Sequence, residues 1–406
     1  MEFRVFVYPG AYAANPCISC TPYTLDMPYR TERGNMDDRD FMSVALRHAK
    51  LGAGKVNPNP MVGAVIVRDG RIIATGHHDY FGGWHAERSA LEAAKRDHVD
   101  VRGATIYVTL EPCSHTGKQP PCSQALINAG LVRVVIGSSD PNPLVAGKGV
   151  RQLREAGIEV VEGVLRSECD ALNEIFLHYI TAHTPFVMLK YAMTLDGRIA
   201  TAAGLSQWIT GEAARRRVHE DRGRFAVIMV GVGTVLADNP QLTCRLEGGH
   251  DPIRVVLDTD LRTPLNAKLV TTANETPTIL ATASDDEAKA NRYRDAGCEI
   301  LHVTKDEHGH ADIAQVMAAL GERSVDSVMI EGGGTLAWSA LEARVVDKVS
   351  TYIAPKLFGG AHAPGPVGGD GVAAPDGAFR VENRSLTTVG DDIVIEGSVA
   401  YVHGNR

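Results

Sequence analysis

"ATIYVTLEPCSHTGKQPPCSQALINAG", residues 104–130, carries a strand into a helix through a segment bounded by Cys113 and Cys122. Residues 104–110 are mostly apolar or β-branched and read as a buried strand, and 123–130 has helical periodicity closed by a glycine. Upstream, HAERSALEAAK (85–95) reads as a helix. MVGAVIV (61–67) and RIIATG (71–76), joined near Asp69-Gly70, read as a tight hairpin. NPNP (57–60) is turn chemistry, and Phe41, Met42, Ala45, Leu46 and Ala49 recur at helical spacing before Gly52. Downstream, VRVVIG (132–137), GVRQLREAG (149–157) and IEVVEGVL (158–165) continue the strand–helix alternation, and ECDALNEIFLHYIT (168–181) reads as one closing helix. Alternation of this kind predicts an α/β sheet with helices on its faces.

A second α/β pattern begins after AHTPF (182–186), which reads as a linker or a domain-edge strand. Its strands are expected in VMLKYAMTLDGRIA (187–200), FAVIMVGVGTVLAD (225–238), IRVVLDT (253–259), TILAT (278–282), CEILHV (298–303) and VDSVMIEGGG (325–334). The helix TLAWSALEARVV (335–346) and the strands KVSTYIAP (348–355) and DIVIEGSVAYV (392–402) complete it. The halves share no internal repeat. The expected domains are a poorly ordered extension at 1–35, a first unit at 36–181 and a second at 182–406. Met36 is a candidate translation start, and Cys17 and Cys20 read as incidental thiols of the extension.

A chain of 406 residues exceeds one ordinary core, in keeping with two units. The net charge of −8 and 6% aromatic content argue against a nucleic-acid groove, and no apolar run is long enough for a membrane span. Seven scattered cysteines make no disulfide framework and suit a reducing cytoplasm.

His85 and Glu87 lie two apart at a helix start, so they diverge and make a poor pair of ligands for one ion. A division of labour suits them better: His85 ligates a metal and Glu87 moves protons. Zinc accepts imidazole and thiolate, and a catalytic zinc keeps one of its four positions open. His85, Cys113 and Cys122 would supply three ligands, and the order His-x-Glu then Pro-Cys…Cys is that of hydrolytic zinc deaminases of amino-substituted rings. The wider cysteine spacing leaves room for a loop carrying Ser114, His115 and Lys118. Two buried cysteines are commonly inert, and a structural zinc site is a rival, but such sites fill four positions and no fourth ligand is evident. A nucleic-acid-editing deaminase and a non-enzymatic zinc module are the other readings.

In the second half, MVGVGT (229–234) lacks the third glycine of a Rossmann fingerprint. In MIEGGGTLAWSAL (329–341) three glycines precede a helix opened by Thr335, whose N-terminus suits phosphate. Lys190, Arg198, Arg222 and Arg245 are candidates for anionic groups, and each also reads as a solvated charge.

These stretches, with NPNPMVGAVIV, DPNPLVAGKG, SQWITG, LDTDLRTP and YIAPKLFGGAHAP, resemble the bifunctional deaminase–reductase family of riboflavin biosynthesis, from about Met36 almost to the C-terminus. The resemblance implies a cytidine-deaminase-like αβα domain followed by a dihydrofolate-reductase-like domain. Zinc would be held by His85, Cys113 and Cys122, with Glu87 as proton shuttle and Asn59, His78, His115 and Lys118 on the deaminase substrate. It implies NADPH against Ala192, Trp208, Thr234, Asp238, Thr259 and the run Gly333, Gly334, Thr335, Leu336, Ala337, Trp338 and Ser339. Ser206, Arg222, Leu242, Arg245 and Glu331 would meet the second substrate, with Lys190 and Glu331 near the reacting sugar. Arg222 and Arg245 are expected on its phosphate, because guanidinium binds phosphate bidentately. The ligands expected are phosphorylated pyrimidines, in a cytoplasmic homo-oligomer without nucleic-acid or membrane partners. The 1–35 extension lies outside the family pattern.

Overall fold

The computed structural model describes residues 36–114, 120–142 and 145–401; the 1–35 extension, Cys17, Cys20, His115 and Lys118 lie outside them. The first sheet holds strands β1 (Gly63–Arg68), β2 (Arg71–His77), β3 (Thr105–Leu110), β4 (Arg133–Ser138) and β5 (Glu159–Glu162) in the order β2-β1-β3-β4-β5. β1 pairs antiparallel with β2 and β3, whereas β3, β4 and β5 run parallel. Asp69 (φ 51°) and Gly70 (φ 71°) both lie in the left-handed region, as a two-residue hairpin turn between β1 and β2 requires.

Helices α1 (Asp38–Ala49), α2 (Ala86–Arg96), α3 (Cys122–Asn128), α4 (Lys148–Glu155), α5 (Arg166–Leu172) and α6 (Glu174–Ala182) belong to this unit. Alternate strand residues feed opposite faces. Ile66, Ile106, Val108, Val134 and Ile136 pack with Ala86, Ala90, Leu126 and Leu153 on one side. Val65, Val67, Tyr107 and Val135 meet Phe41, Met42, Ala45 and Cys169 on the other. α1 is closed by a reciprocal capping box between Asp37 and Asp40.

The single closing helix expected over 168–181 is two helices, α5 and α6. The buried Asn173 interrupts it (φ −108°, ψ 22°), because its side chain binds both backbone groups of Met61, Met61 N donating at 2.8 Å and Met61 O accepting at 2.9 Å.

The second sheet holds β6 (Phe186–Thr194), β7 (Val227–Gly231), β8 (Ile253–Leu257), β9 (Thr278–Thr282), β10 (Glu299–His302), β11 (Ser327–Glu331), β12 (Lys348–Ala354), β13 (Arg380–Val389) and β14 (Asp392–Ala400). Their order is β10-β9-β8-β7-β11-β6-β12-β14-β13. The first seven run parallel and the last two add an antiparallel edge. Helices α7 (Glu212–Arg224), α8 (Val232–Asp238), α9 (Lys268–Thr271), α10 (Glu287–Asp295), α11 (Ile313–Glu322) and α12 (Gly334–Glu342) accompany it. β13 escapes the sequence pattern: RVENRSLTTV is largely exposed and polar, the composition of an edge strand that must not recruit another chain.

A methyl at Gly63 would run into the Ala45 carbonyl and the Ala49 amide, so α1 rests on β1 backbone to backbone. Gly63→Ala is therefore expected to lower stability by about 1–3 kcal/mol through overpacking, read as a lower urea midpoint.

Candidate active sites: a metal centre and a cleft

β3 ends at Leu110, and the chain then places Cys113 beside the first residue of α3, Cys122. The helix begins one residue earlier than expected, and the Cys122 amide donates to Cys113 Sγ at 3.4 Å. His85, immediately before α2, brings Nδ1 to 3.6 Å from Cys113 Sγ and 3.4 Å from Cys122 Sγ. Tetrahedral zinc with bonds of about 2.0 Å to nitrogen and 2.3 Å to sulfur sets an N···S edge of about 3.6 Å. The donor set and its spacing therefore fit zinc. Glu111, two residues before Cys113, is fixed on the start of α4: its carboxylate accepts from Gly147 N at 3.1 Å and Val150 N at 3.4 Å.

The contact with Cys122 outweighs burial and holds the Cys113 thiol well below its ordinary range, with His85 and the Cys122 amide adding to the effect. Cys122 is pushed up by the same contact. Glu87, on the first turn of α2, is 3% exposed, and burial pushes its carboxyl above the usual range while the charge of His85 opposes. A buried carboxyl that keeps its proton more readily suits a proton carrier. Burial lowers His78 in turn, so its ring is neutral near pH 7. His78 Nδ1 then donates to the Trp84 carbonyl at 2.8 Å, and Nε2 accepts from Asn59 Nδ2 at 3.1 Å. His78 also stands edge-on to His85, with ring centroids 5.6 Å apart. His78, Asn59, Glu87 and the three donors thus form one cluster.

The second site is a cleft of about 990 Å³ over the carboxyl ends of β6, β7 and β11. Lys190 and Glu331 are register partners on adjacent parallel strands, which is why they meet, with Nζ 3.8 Å from Oε2. Arg222 forks onto Glu331 with both nitrogens, at 2.7 and 2.9 Å. Burial works against ionisation of Glu331, but Arg222, by charge and hydrogen bonds, and Lys190 reverse this and hold it down at about 2. Lys190 is lowered by burial, with Glu331 acting against the shift. Asp221 lies beneath this group, pushed up to about 6 by burial, with the Tyr352 hydroxyl 3.5 Å away.

The cleft wall includes Ala192, Ser206, Trp208, Thr234, Asp238, Leu242, Arg245, Thr259, Gly333, Gly334, Thr335, Leu336 and Ser339. Gly332 (φ 80°) and Gly333 (φ 91°) turn the chain into α12 through a conformation open to glycine. Ala337 and Trp338 leave the wall: Ala337 enters the core and Trp338 packs on Phe379, centroids 6.0 Å apart. A continuous run on a helix cannot all face one side. Arg222, expected on a phosphate, has its guanidinium fork on Glu331, while the side chain of Arg245 stays largely exposed. Arg262, Lys268 and His310 also line the cleft, and only Arg262 stood in a stretch singled out from the sequence, LDTDLRTP. Asp221 had no sequence signal beyond its neighbour Arg222.

Comparison with known proteins finds a different family model on each half of the chain. The model of the cytidine and deoxycytidylate deaminase zinc-binding region matches residues 35–138, and that of the RibD C-terminal domain matches 185–395. Riboflavin biosynthesis protein RibD of Actinobacillus pleuropneumoniae is 52% identical over 361 residues, 89% of this chain and 95% of its own. A Thermotoga maritima structure, described as a diaminohydroxyphosphoribosylaminopyrimidine deaminase/5-amino-6-(5-phosphoribosylamino)uracil reductase, is 41% identical with a TM-score of 0.77, covering 89% of this chain and 99% of its own. Acinetobacter baumannii RibD is 35% identical with a TM-score of 0.76 over the same shares. A metal-binding deaminase site and a reductase cleft in one chain, with these relatives, show that it belongs to the RibD family, the bifunctional deaminase–reductases of riboflavin biosynthesis.

Proposed function

We propose that this chain deaminates 2,5-diamino-6-(5-phosphoribosylamino)pyrimidin-4(3H)-one and then reduces the ribosyl group of 5-amino-6-(5-phosphoribosylamino)uracil to ribityl with NADPH. The observation that carries the reading is the triangle of His85, Cys113 and Cys122 with one buried carboxyl, Glu87, beside it. The description of the Thermotoga relative supports the choice of substrates.

His85, Cys113 and Cys122 would hold zinc, which when bound supplies Lewis-acid activation of water near neutral pH. Glu87 takes one proton of the attacking water and passes it to a ring nitrogen, then carries the remaining hydroxyl proton to the departing amine, so that a C–N bond is exchanged for C=O and ammonia leaves. Asn59 and His78, with His115 and Lys118 from the sequence, hold the pyrimidine. In this proposal residues 36–181 are the deaminase and 182–406 the reductase, in a cytoplasmic homo-oligomer.

In the cleft, Ala192, Trp208, Thr234, Asp238, Thr259 and the turn into α12 would hold NADPH, which when bound supplies the hydride. Arg245 takes the ribose phosphate, and Ser206 and Leu242 flank the substrate. The sugar C1′–ring-oxygen bond breaks, C1′ receives the hydride, and Lys190 provides the proton for the released oxygen. Arg222 acts at one remove, pinning Glu331 beside Lys190.

Two outcomes test the scheme. Cys122→Ser is expected to lose zinc, while Glu87→Gln keeps it and loses ammonia release by about 100- to 10,000-fold; metal content and ammonia are measured on the same preparations. Retained deamination in Glu87→Gln overturns its role. Because burial lowers Lys190, the alkaline limb of NADPH oxidation should fall below pH 10.5. Removing the Glu331 charge removes what holds that lysine protonated, so in Glu331→Gln the limb of the remaining activity should move to lower pH. A limb that stays or rises assigns the titration to another group.

A further inference from the structure

The turn that carries Asn59 is built on the other unit of the protein. Asn57 Nδ2 donates to Asp326 Oδ2 at 2.7 Å and reaches the Arg224 carbonyl at 3.4 Å. Asp326 is 2% exposed and precedes β11, the strand that ends at Glu331. It is fixed from several sides: its carbonyl accepts from Phe186 N at 2.8 Å, and its Oδ1 accepts from Ser327 Oγ at 2.7 Å. Ser327 Oγ in turn accepts from Ala226 N at 3.0 Å. Asp326 is therefore locked to the starts of β6, β7 and β11.

The neighbouring chain is clamped as well. A methyl at Gly54 would run into the Gly223 carbonyl, so the segment after α1 lies directly on the end of α7. At the far end of the turn, the Asn173 side chain holds both backbone groups of Met61. Its neighbour Glu174 binds Lys348 at 2.9 and 3.0 Å and lies 3.6 Å from Arg224. Between the clamps, Asn59 N donates to the Val56 carbonyl at 2.8 Å, and the Asn59 side chain meets His78, which stands edge-on to His85.

From this continuous series of contacts we propose that Asn57 is a positioning residue of the deaminase reaction: through Asp326 it hangs the Asn59 turn on the reductase sheet, so substrate affinity at the metal centre depends on the reductase unit. The inference rests on the reading of Asn59 as a substrate contact. The physical reason is economy of support. A turn of four residues has little core of its own, and one short hydrogen bond to an immobile carboxyl group removes its freedom.

The experiment uses the full chain and swaps the two partners. Asn57→Asp sets two carboxyl groups against each other and should raise KM for the diaminopyrimidinone substrate by about 10-fold, with zinc content and reduction of the second substrate retained. Asp326→Asn keeps an acceptor for Asn57 and should stay close to the starting protein. The double variant Asn57→Asp/Asp326→Asn restores a hydrogen bond with donor and acceptor exchanged, and should recover KM. A purely structural link would lower thermal stability and leave KM unmoved. Should Asn57→Asp fail to fold, Asn57→Ala, which removes the link without adding charge, carries the same KM expectation. Asn59→Ala separates the two readings. If it raises KM while Asn57→Asp and Asn57→Ala do not, or if the double variant stays as impaired as Asn57→Asp, the positioning role is overturned and the substrate contact stands. If Asn59→Ala leaves KM unchanged, the substrate contact fails and the positioning role with it.

Discussion

Parallel strands end on one side of their sheet, and both sites depend on that constraint. Where neighbouring strands run the same way, each must return through a helix, so strand ends and helix starts gather at a common edge. Around β3 this brings the loop bearing Cys113 against the start of α3 at Cys122, with the start of α2 close enough to add His85. In the larger sheet it sets Glu331 at the end of β11 beside Lys190 on β6, above the glycine turn into α12. Unrelated chemistries share a chain because each uses the same edge geometry.

Burial then sets the charge state of each site. Burial pushes the Glu87 carboxyl toward neutrality, and the charge of His85 opposes this only in part. Glu331, equally enclosed, faces Arg222 and Lys190 and stays a carboxylate. Two glutamates in comparable burial are driven in opposite directions by what stands next to them. The arrangement commits the Nε and Nη2 edge of Arg222 to Glu331, while Nη1 donates to the Thr243 carbonyl at 3.3 Å.

Much of this was legible in the residues. The hairpin follows from Asp69-Gly70, the strands from apolar runs, and the metal donors from a His-x-Glu followed by Pro-Cys and a second cysteine. What escaped was decided by partners distant in sequence. β13 is polar because it lies at an edge, so its pattern resembles a loop. Asn173 splits a helix because Met61 needs its side chain, and Trp338 turns away from the cleft because Phe379 is on the other side.

The sequence by itself determined the two α/β units, the chemistry of each site and the residue types that perform it, since periodicity and ligand chemistry are local properties of a chain. Only the tertiary structure decided which charges meet: that Arg222 binds Glu331, leaving Arg245 exposed in the cleft, and that Asn57 of one unit reaches Asp326 of the other. Such pairings span 109 and 269 positions along the chain. No spacing rule reaches that far, and the packing of sheet against helix is what brings those atoms within hydrogen-bond distance.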